Sequence, residues 1–165
     1  MKTLTTILMI ALLPVMTLAQ SESVKSFRNQ YDNNPDVTSV LIKGPLFKFL
    51  ASIAGNDDDP ETQAFARIAK GIKSMEVLSI PFYTDLNRED ISTLRNDLKN
   101  DQYEELLIVK DGKDLVNIMS QGKEDEIRNM VILVEDKENF TLLNINGKLS
   151  MKDLAYLSKN HNDYH

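Results

Sequence analysis

Residues 103–149 constrain the fold more than any other part of this chain. Four apolar runs, 106–109, 115–119, 130–134 and 140–145, are separated by short polar connectors. Each run has the length of a strand and none is long enough for a stable helix, so the segment reads as a β-meander. The connectors carry turn residues. Lys110-Asp111-Gly112-Lys113 holds an Asp-Gly pair, which suits a type I′ hairpin because both central residues take positive φ. Gln121-Gly122-Lys123 supplies a second permissive glycine, and 135–139 is a charged loop. Strands joined this tightly pair antiparallel with their neighbours.

The chain has 165 residues, 42% hydrophobic and 27% charged, which is the make-up of one ordinary soluble domain. It has no cysteine, and a domain of this size buries enough surface to be stable without disulfides or metals. Residues 1–19 have the form of a secretory signal peptide. Lys2 starts a positive segment, 4–15 is apolar with Pro14 near its end, and Thr17-Leu18-Ala19 places small residues where a signal peptidase reads them. Cleavage is expected before Gln20. The apolar run is too short to span a bilayer, and no basic cluster follows to hold it there. A lipid anchor of the bacterial type needs a cysteine just after the signal, and there is none. The expectation is a protein free in the periplasm or secreted, with no transmembrane or lipid anchor in the mature chain. Residues 20–160 are expected to form a single α+β domain, and 161–165 a frayed C-terminal tail.

Local signals place the remaining elements. Val24, Phe27 and Tyr31 recur at helical spacing, and Asn33-Asn34-Pro35 ends that helix because the residue before proline is pushed out of the α region. Residues 37–43 read as a strand whose continuous Val40, Leu41 and Ile42 suggest burial on both faces and a central place in the sheet. Gly44-Pro45 opens a helix with apolar Leu46, Phe49, Leu50 and Ile53, and Gly55 stands just past its end. Asp59-Pro60 caps the next helix, whose buried stripe is expected to be Phe65, Ile68, Ala69 and Ile72. Residues 75–80 form a second strand. Asn87 with Asp90 resembles a capping box for a helix carrying Ile91, Leu94 and Leu98. After the meander, Asn146-Gly147 is expected to turn the chain, and Ser150 with Asp153 caps a last helix with Met151, Leu154 and Ala155 inward.

This order predicts an α+β fold, a two-layer sandwich. Its mixed sheet of about six strands ends in the antiparallel meander, and its helices lie mostly on one face. The two helical connections in the first part suggest parallel pairing there.

Several of these segments also carry a resemblance. Residues 27–31 (Phe-Arg-Asn-Gln-Tyr), the strand 37–42 leading to Leu46-Phe47, the run 72–78 and the closing stretch 143–150 together resemble the DUF4252 family of exported Bacteroidetes proteins of unknown function. The resemblance spans nearly the whole mature chain and rests on hydrophobic pattern and turns. It implies a small cell-envelope protein and brings no catalytic residues. Where relatives are lipoproteins, this chain departs by lacking the cysteine.

Catalytic chemistry finds little support. Both histidines, His161 and His165, fall in the tail, where nothing holds them within reach of a proton or a metal. Ser120-Gln121-Gly122-Lys123 matches S-x-x-K, but it falls on an expected turn and lacks the companion S-D-N and K-T-G elements. No G-x-S-x-G, Walker loop or G-x-G-x-x-G occurs, and no cofactor is implied. Asp57, Asp58, Asp59 and Glu61 are weak candidates for Ca²⁺, although Thr62 and Ile68 break the EF-hand pattern and a solvated loop with a helix cap accounts for them. Arg67, Lys70 and Lys73 form a basic stripe, but a pI near 4.9 and no interleaved aromatics speak against nucleic acid. The best contact candidates are Phe82 and Tyr83, two aromatics in a strand-to-helix connection where polar residues are usual.

Two functions follow. The favoured one is a non-catalytic exported cell-envelope protein that binds an unknown envelope protein or small ligand. The alternative is a carboxylate- or serine-dependent hydrolase of envelope polymers.

Overall fold

The structure, a computed structural model, describes residues 21–123 and 125–160. The signal segment 1–19 and the tail with His161 and His165 lie outside the described residues. Eleven elements follow in order: α1 Glu22–Tyr31, β1 Thr38–Lys43, α2 Gly44–Ala54, α3 Pro60–Gly71, β2 Ile72–Pro81, α4 Arg88–Asn100, β3 Glu104–Asp111, β4 Asp114–Lys123, β5 Glu126–Glu135, β6 Asn139–Ser150 and α5 Met151–Asn160.

The helix starts follow from local chemistry. The Ser21 hydroxyl accepts from the Val24 amide, and Asp59 accepts from the Thr62 amide at 2.7 Å. Asn87 and Asp90 close a reciprocal capping box, and the Ser150 hydroxyl accepts from the Asp153 amide. Each satisfies backbone N–H groups that the first helical turn leaves without a partner.

The six strands form one open sheet in the order β1-β2-β6-β5-β4-β3. Every neighbouring pair is antiparallel, so the α+β class holds while the expected mixed pairing does not. The reason lies in the connections. Two helices, α2 and α3, pack against each other between β1 and β2, one reversal more than a single crossover helix makes, so β2 returns beside β1 running the opposite way. A single helix, α4, links β2 to β3, and these two strands do run in the same direction. Three strands of the meander separate them, so no parallel pair forms. β1 lies at an edge with Val40 and Leu41 exposed, and its apolar run marks no central strand.

Helices cover both faces of the sheet, where most were expected on one. Alternation along the strands separates two clusters. On one face Leu78, Phe140, Leu142 and Val131 pack with Val24, Phe27 and Tyr31 of α1 and with Ile91, Leu94 and Leu98 of α4. On the other, Met75, Met130 and Ile145 pack with Phe47 of α2, Ile68 of α3 and Leu154 of α5. Ala155, expected inward, is exposed.

Two turns differ from expectation. At the β3–β4 hairpin only Gly112 has positive φ, 60°, as in a II′ rather than a I′ turn. Asn146-Gly147 does not turn the chain but lies within β6. There a Cβ on Gly147 would stand 2.4 Å from the Gly71 carbonyl oxygen, so the glycine permits a close backbone crossing. Among the described residues no helix is long and apolar enough to cross a membrane.

Candidate functional site

α2 carries the feature that the sequence reading placed the wrong way round. The helix is apolar on nearly every side, and the tertiary fold chooses which side to bury. Gly44, Phe47 and Ala51 face inward. Leu46, Phe49, Leu50 and Ile53, at i, i+3, i+4 and i+7, point to solvent, with Phe49 60% exposed. Burying the other face places Phe47 in the cluster against Met75, while Ala51 meets Ala66 and Ala69 of α3 so that the two helices pack closely. Phe65 of α3, expected in the core, is also exposed, and α3 buries Ala64, Ala66 and Ala69 instead. Small residues thus make the α2–α3 contact, and the large ones remain outside.

The basic residues gather at this end. Lys48, Arg67 and Lys70 line a shallow cleft of about 650 Å³ with Ala51 and Ala66 in its wall. Lys73, expected on the same helix, belongs to β2. Arg67 is tied to Asp153 at 2.6 Å and holds that carboxyl below the usual carboxylate range. Among the described residues Lys48 and Lys70 form no ion pair.

Phe82 and Tyr83 occupy a turn after β2, where the Phe82 amide donates to the Glu138 carbonyl at 2.8 Å and the Thr84 amide to Pro81. Phe82 packs against the core, and Tyr83 stands 77% exposed at the tip. Tyr83 follows the end of β2, whereas α2 starts after Lys43, which pairs with Ser74 near the beginning of that strand.

Asp57, Asp58, Asp59 and Glu61 remain a surface loop. Asp57 accepts from the Asp59 amide and Asp59 from Thr62, whose hydrogen bonds lower its pKa. Among the described residues no three His, Cys, Asp or Glu side chains converge to hold a metal. Ser120 and Lys123 lie inside β4 rather than on a turn. They line one cleft with Glu104, yet no hydrogen bond reaches the Ser120 hydroxyl from Lys123. On a helix, residues three apart share a face; on a strand they do not, so the S-x-x-K spacing loses its meaning here.

Beneath α1 and α4 the sheet carries buried polar groups. Glu76 of β2 accepts from Arg28 of α1 at 2.9 Å, and Arg95 of α4 pairs with Glu135 of β5. Asp101 accepts from the hydroxyls of Ser21 and Ser23 at 2.6 and 2.7 Å. Burial pushes the Asp101 carboxyl up, but these hydrogen bonds outweigh it and hold the group below its ordinary range. Tyr103 is pushed up to about 12 by burial and by the nearby Asp101 charge. The two ion pairs tie helices to strands, Asp101 ties α4 to α1, and Arg28 and Glu76 line a small cleft with Leu41, Lys43 and Lys73.

A family model for a domain of unknown function, DUF4252, matches residues 31–157, more than three quarters of the chain. The chain belongs to this family. No curated protein and no solved structure matches it. The DUF4252 match runs from the last residue of α1 into α5 and therefore includes the whole sheet, the α2–α3 pair and the Tyr83 turn. The surface of α2 was readable in part from this DUF4252 sequence, because the segment 44–54 has apolar residues on two faces where a helix needs one.

Proposed function

We propose that this protein is a non-catalytic, exported cell-envelope binding module. Its contact surface is the outward stripe of α2. The observation that carries the reading is the exposure of Leu46, Phe49, Leu50 and Ile53 on a helix held from behind by Phe47 and Ala51. This is the anchor spacing with which a helix fills a groove in a partner protein. A rigid, presented helix loses little conformational freedom on binding, which favours affinity.

Charge describes the partner further. In a chain of net charge −6, Lys43 and Lys48 on and beside α2 are without ion pairs among the described residues, so a hydrophobic groove with an acidic rim is the matching surface. Export is supported by the form of residues 1–19 and by Ser21, which caps α1 right after the expected cleavage point. The hydrolase alternative gains little from Ser120, because among the described residues its hydroxyl forms no hydrogen bond to Lys123 or to Glu104, which line the same cleft.

The test is crosslinking in cells of the native host, followed by pull-down and mass spectrometry that also reads the mature N-terminus. The wild type should begin at Gln20 and capture a partner that Phe49→Asp loses and Tyr83→Ala retains. Equal capture by Phe49→Asp would overturn the α2 surface, loss only with Tyr83→Ala would move the contact to the β2–α4 turn, and an uncleaved N-terminus would overturn export.

A further inference from the structure

The cleft between α2 and α3 concentrates positive charge in a chain whose net charge is −6. The two helices are joined by residues 55–59 alone and form an antiparallel hairpin. Each lends the cleft one helical face at i, i+3, i+4 and i+7, from Lys48 to Gly55 on α2 and from Gln63 to Lys70 on α3. Gly55 and Gln63 therefore mark the loop end, and Lys48 and Lys70 mark the far end, seven residues or about 10 Å along each helix. Toward the loop the polar groups are already engaged. The Ser52 hydroxyl donates to the Phe49 carbonyl at 2.7 Å, and the Gln63 amide donates to the Asp57 carbonyl at 3.2 Å. At the far end, Lys48 and Lys70 form no ion pair among the described residues, and none of the residues lining the cleft is a carboxylate. Arg67 stands one turn before Lys70. Its Nε and Nη2 both donate to one oxygen of Asp153, which fixes the guanidinium, while Nη1 donates to no group among the described residues.

We propose that this cleft binds a phosphate group carried on a small apolar body. A phosphate monoester carries a charge of about −1.5 to −2 near neutral pH, which balances the two unpaired ammonium groups; a carboxylate balances only one. Arg67, aimed by Asp153, adds a planar donor of the kind that phosphate oxygens accept. The apolar body follows from the size and walls of the cleft. Its volume of about 650 Å³ is that of a small-molecule site and exceeds what a bare phosphate fills. Ala51 and Ala66 line it with methyl groups, which offer a surface to hydrocarbon and no hydrogen bond to a polar ligand. This site lies between the helices, whereas the proposed partner surface is the outward stripe of α2. Lys48 borders both, but Lys70 belongs to the cleft alone, so either proposal can fail without the other.

Isothermal titration calorimetry of the purified protein with phenyl phosphate, near neutral pH, tests this. The wild type should bind one equivalent, and Lys48→Ala and Lys70→Ala should each weaken binding about tenfold, the loss of one charge-assisted hydrogen bond. Both lysines are exposed, so the variants keep the fold. Phe49→Ala alters only the outward stripe and should bind as the wild type does. Vesicles identify the source of the phosphate. Cosedimentation with phosphatidic acid vesicles that Lys70→Ala loses assigns it to a lipid headgroup, and binding of phenyl phosphate without cosedimentation assigns it to a soluble ester. No saturable binding of phenyl phosphate by the wild type would overturn the proposal. So would equal binding by Lys70→Ala, or binding of neutral benzyl alcohol as tight as that of phenyl phosphate.

Discussion

Single residues decide how the helices are fastened to the sheet. Asp101 follows α4 and ties it to the start of α1 by accepting from Ser21 and Ser23. Its carboxyl has a lowered pKa in the folded protein, so the stability it adds is present above the unfolded value of about 3.9 and is lost as pH falls through the folded one. Asp101→Asn should cost about 1 kcal/mol at neutral pH, a modest figure because the carboxylate is only partly buried and solvent screens it. That cost should shrink below about pH 4, which urea unfolding of both proteins at the two pH values would show. Asn144 presents the opposite case. It is fully buried in β6, and among the described residues neither its amide nitrogen nor its oxygen has a hydrogen-bond partner. Replacing it with valine, which suits a strand, should raise stability by about 1 kcal/mol, and a loss in the same unfolding assay would mean that the amide is satisfied after all. The caps at Asp59, Asn87 and Ser150 were legible in the sequence because the groups they satisfy lie within three residues. The Arg28–Glu76 pair was not, since its partners come from α1 and β2 and meet only once the sheet is built.

At the scale of elements, existence was legible and orientation was not. Periodicity identified α1 and α4 with their buried residues, because each has one apolar stripe on a polar helix. α2 has apolar residues on two sides, so spacing alone picks out Leu46, Phe49, Leu50 and Ile53 equally well as an inner or an outer face. The close approach to α3 decides it: Ala51 fits against Ala66 and Ala69, and the larger residues at 46, 49, 50 and 53 would hold the helices apart. Two alanine substitutions in one helix read this orientation. Phe47→Ala should cost about 3 kcal/mol by leaving a cavity beside Met75, and Phe49→Ala should cost under about 0.5 kcal/mol because its ring is already in water. Chemical denaturation of the two variants measures both, and equal losses would place α2 the other way round.

Across the whole molecule, the meander was legible and the place it takes in the sheet was not. Short connectors dictate that β3 to β6 pair in sequence, but nothing local states that β6 closes against β2, since that pairing joins distant segments. The same arrangement that hides the pairing sets a gradient of stability. β6 and β5 have a strand on each side and helices on both faces; β1 and β3 each have one neighbour and mostly exposed side chains. Opening an edge strand breaks one ladder and uncovers little apolar surface, whereas opening β6 breaks two ladders and divides both clusters. Amide exchange should therefore be slowest in β6 and β5, by at least about a hundredfold over β1 and β3. Hydrogen exchange read by mass spectrometry checks this, and uniform rates across the sheet would mean that it opens as one unit.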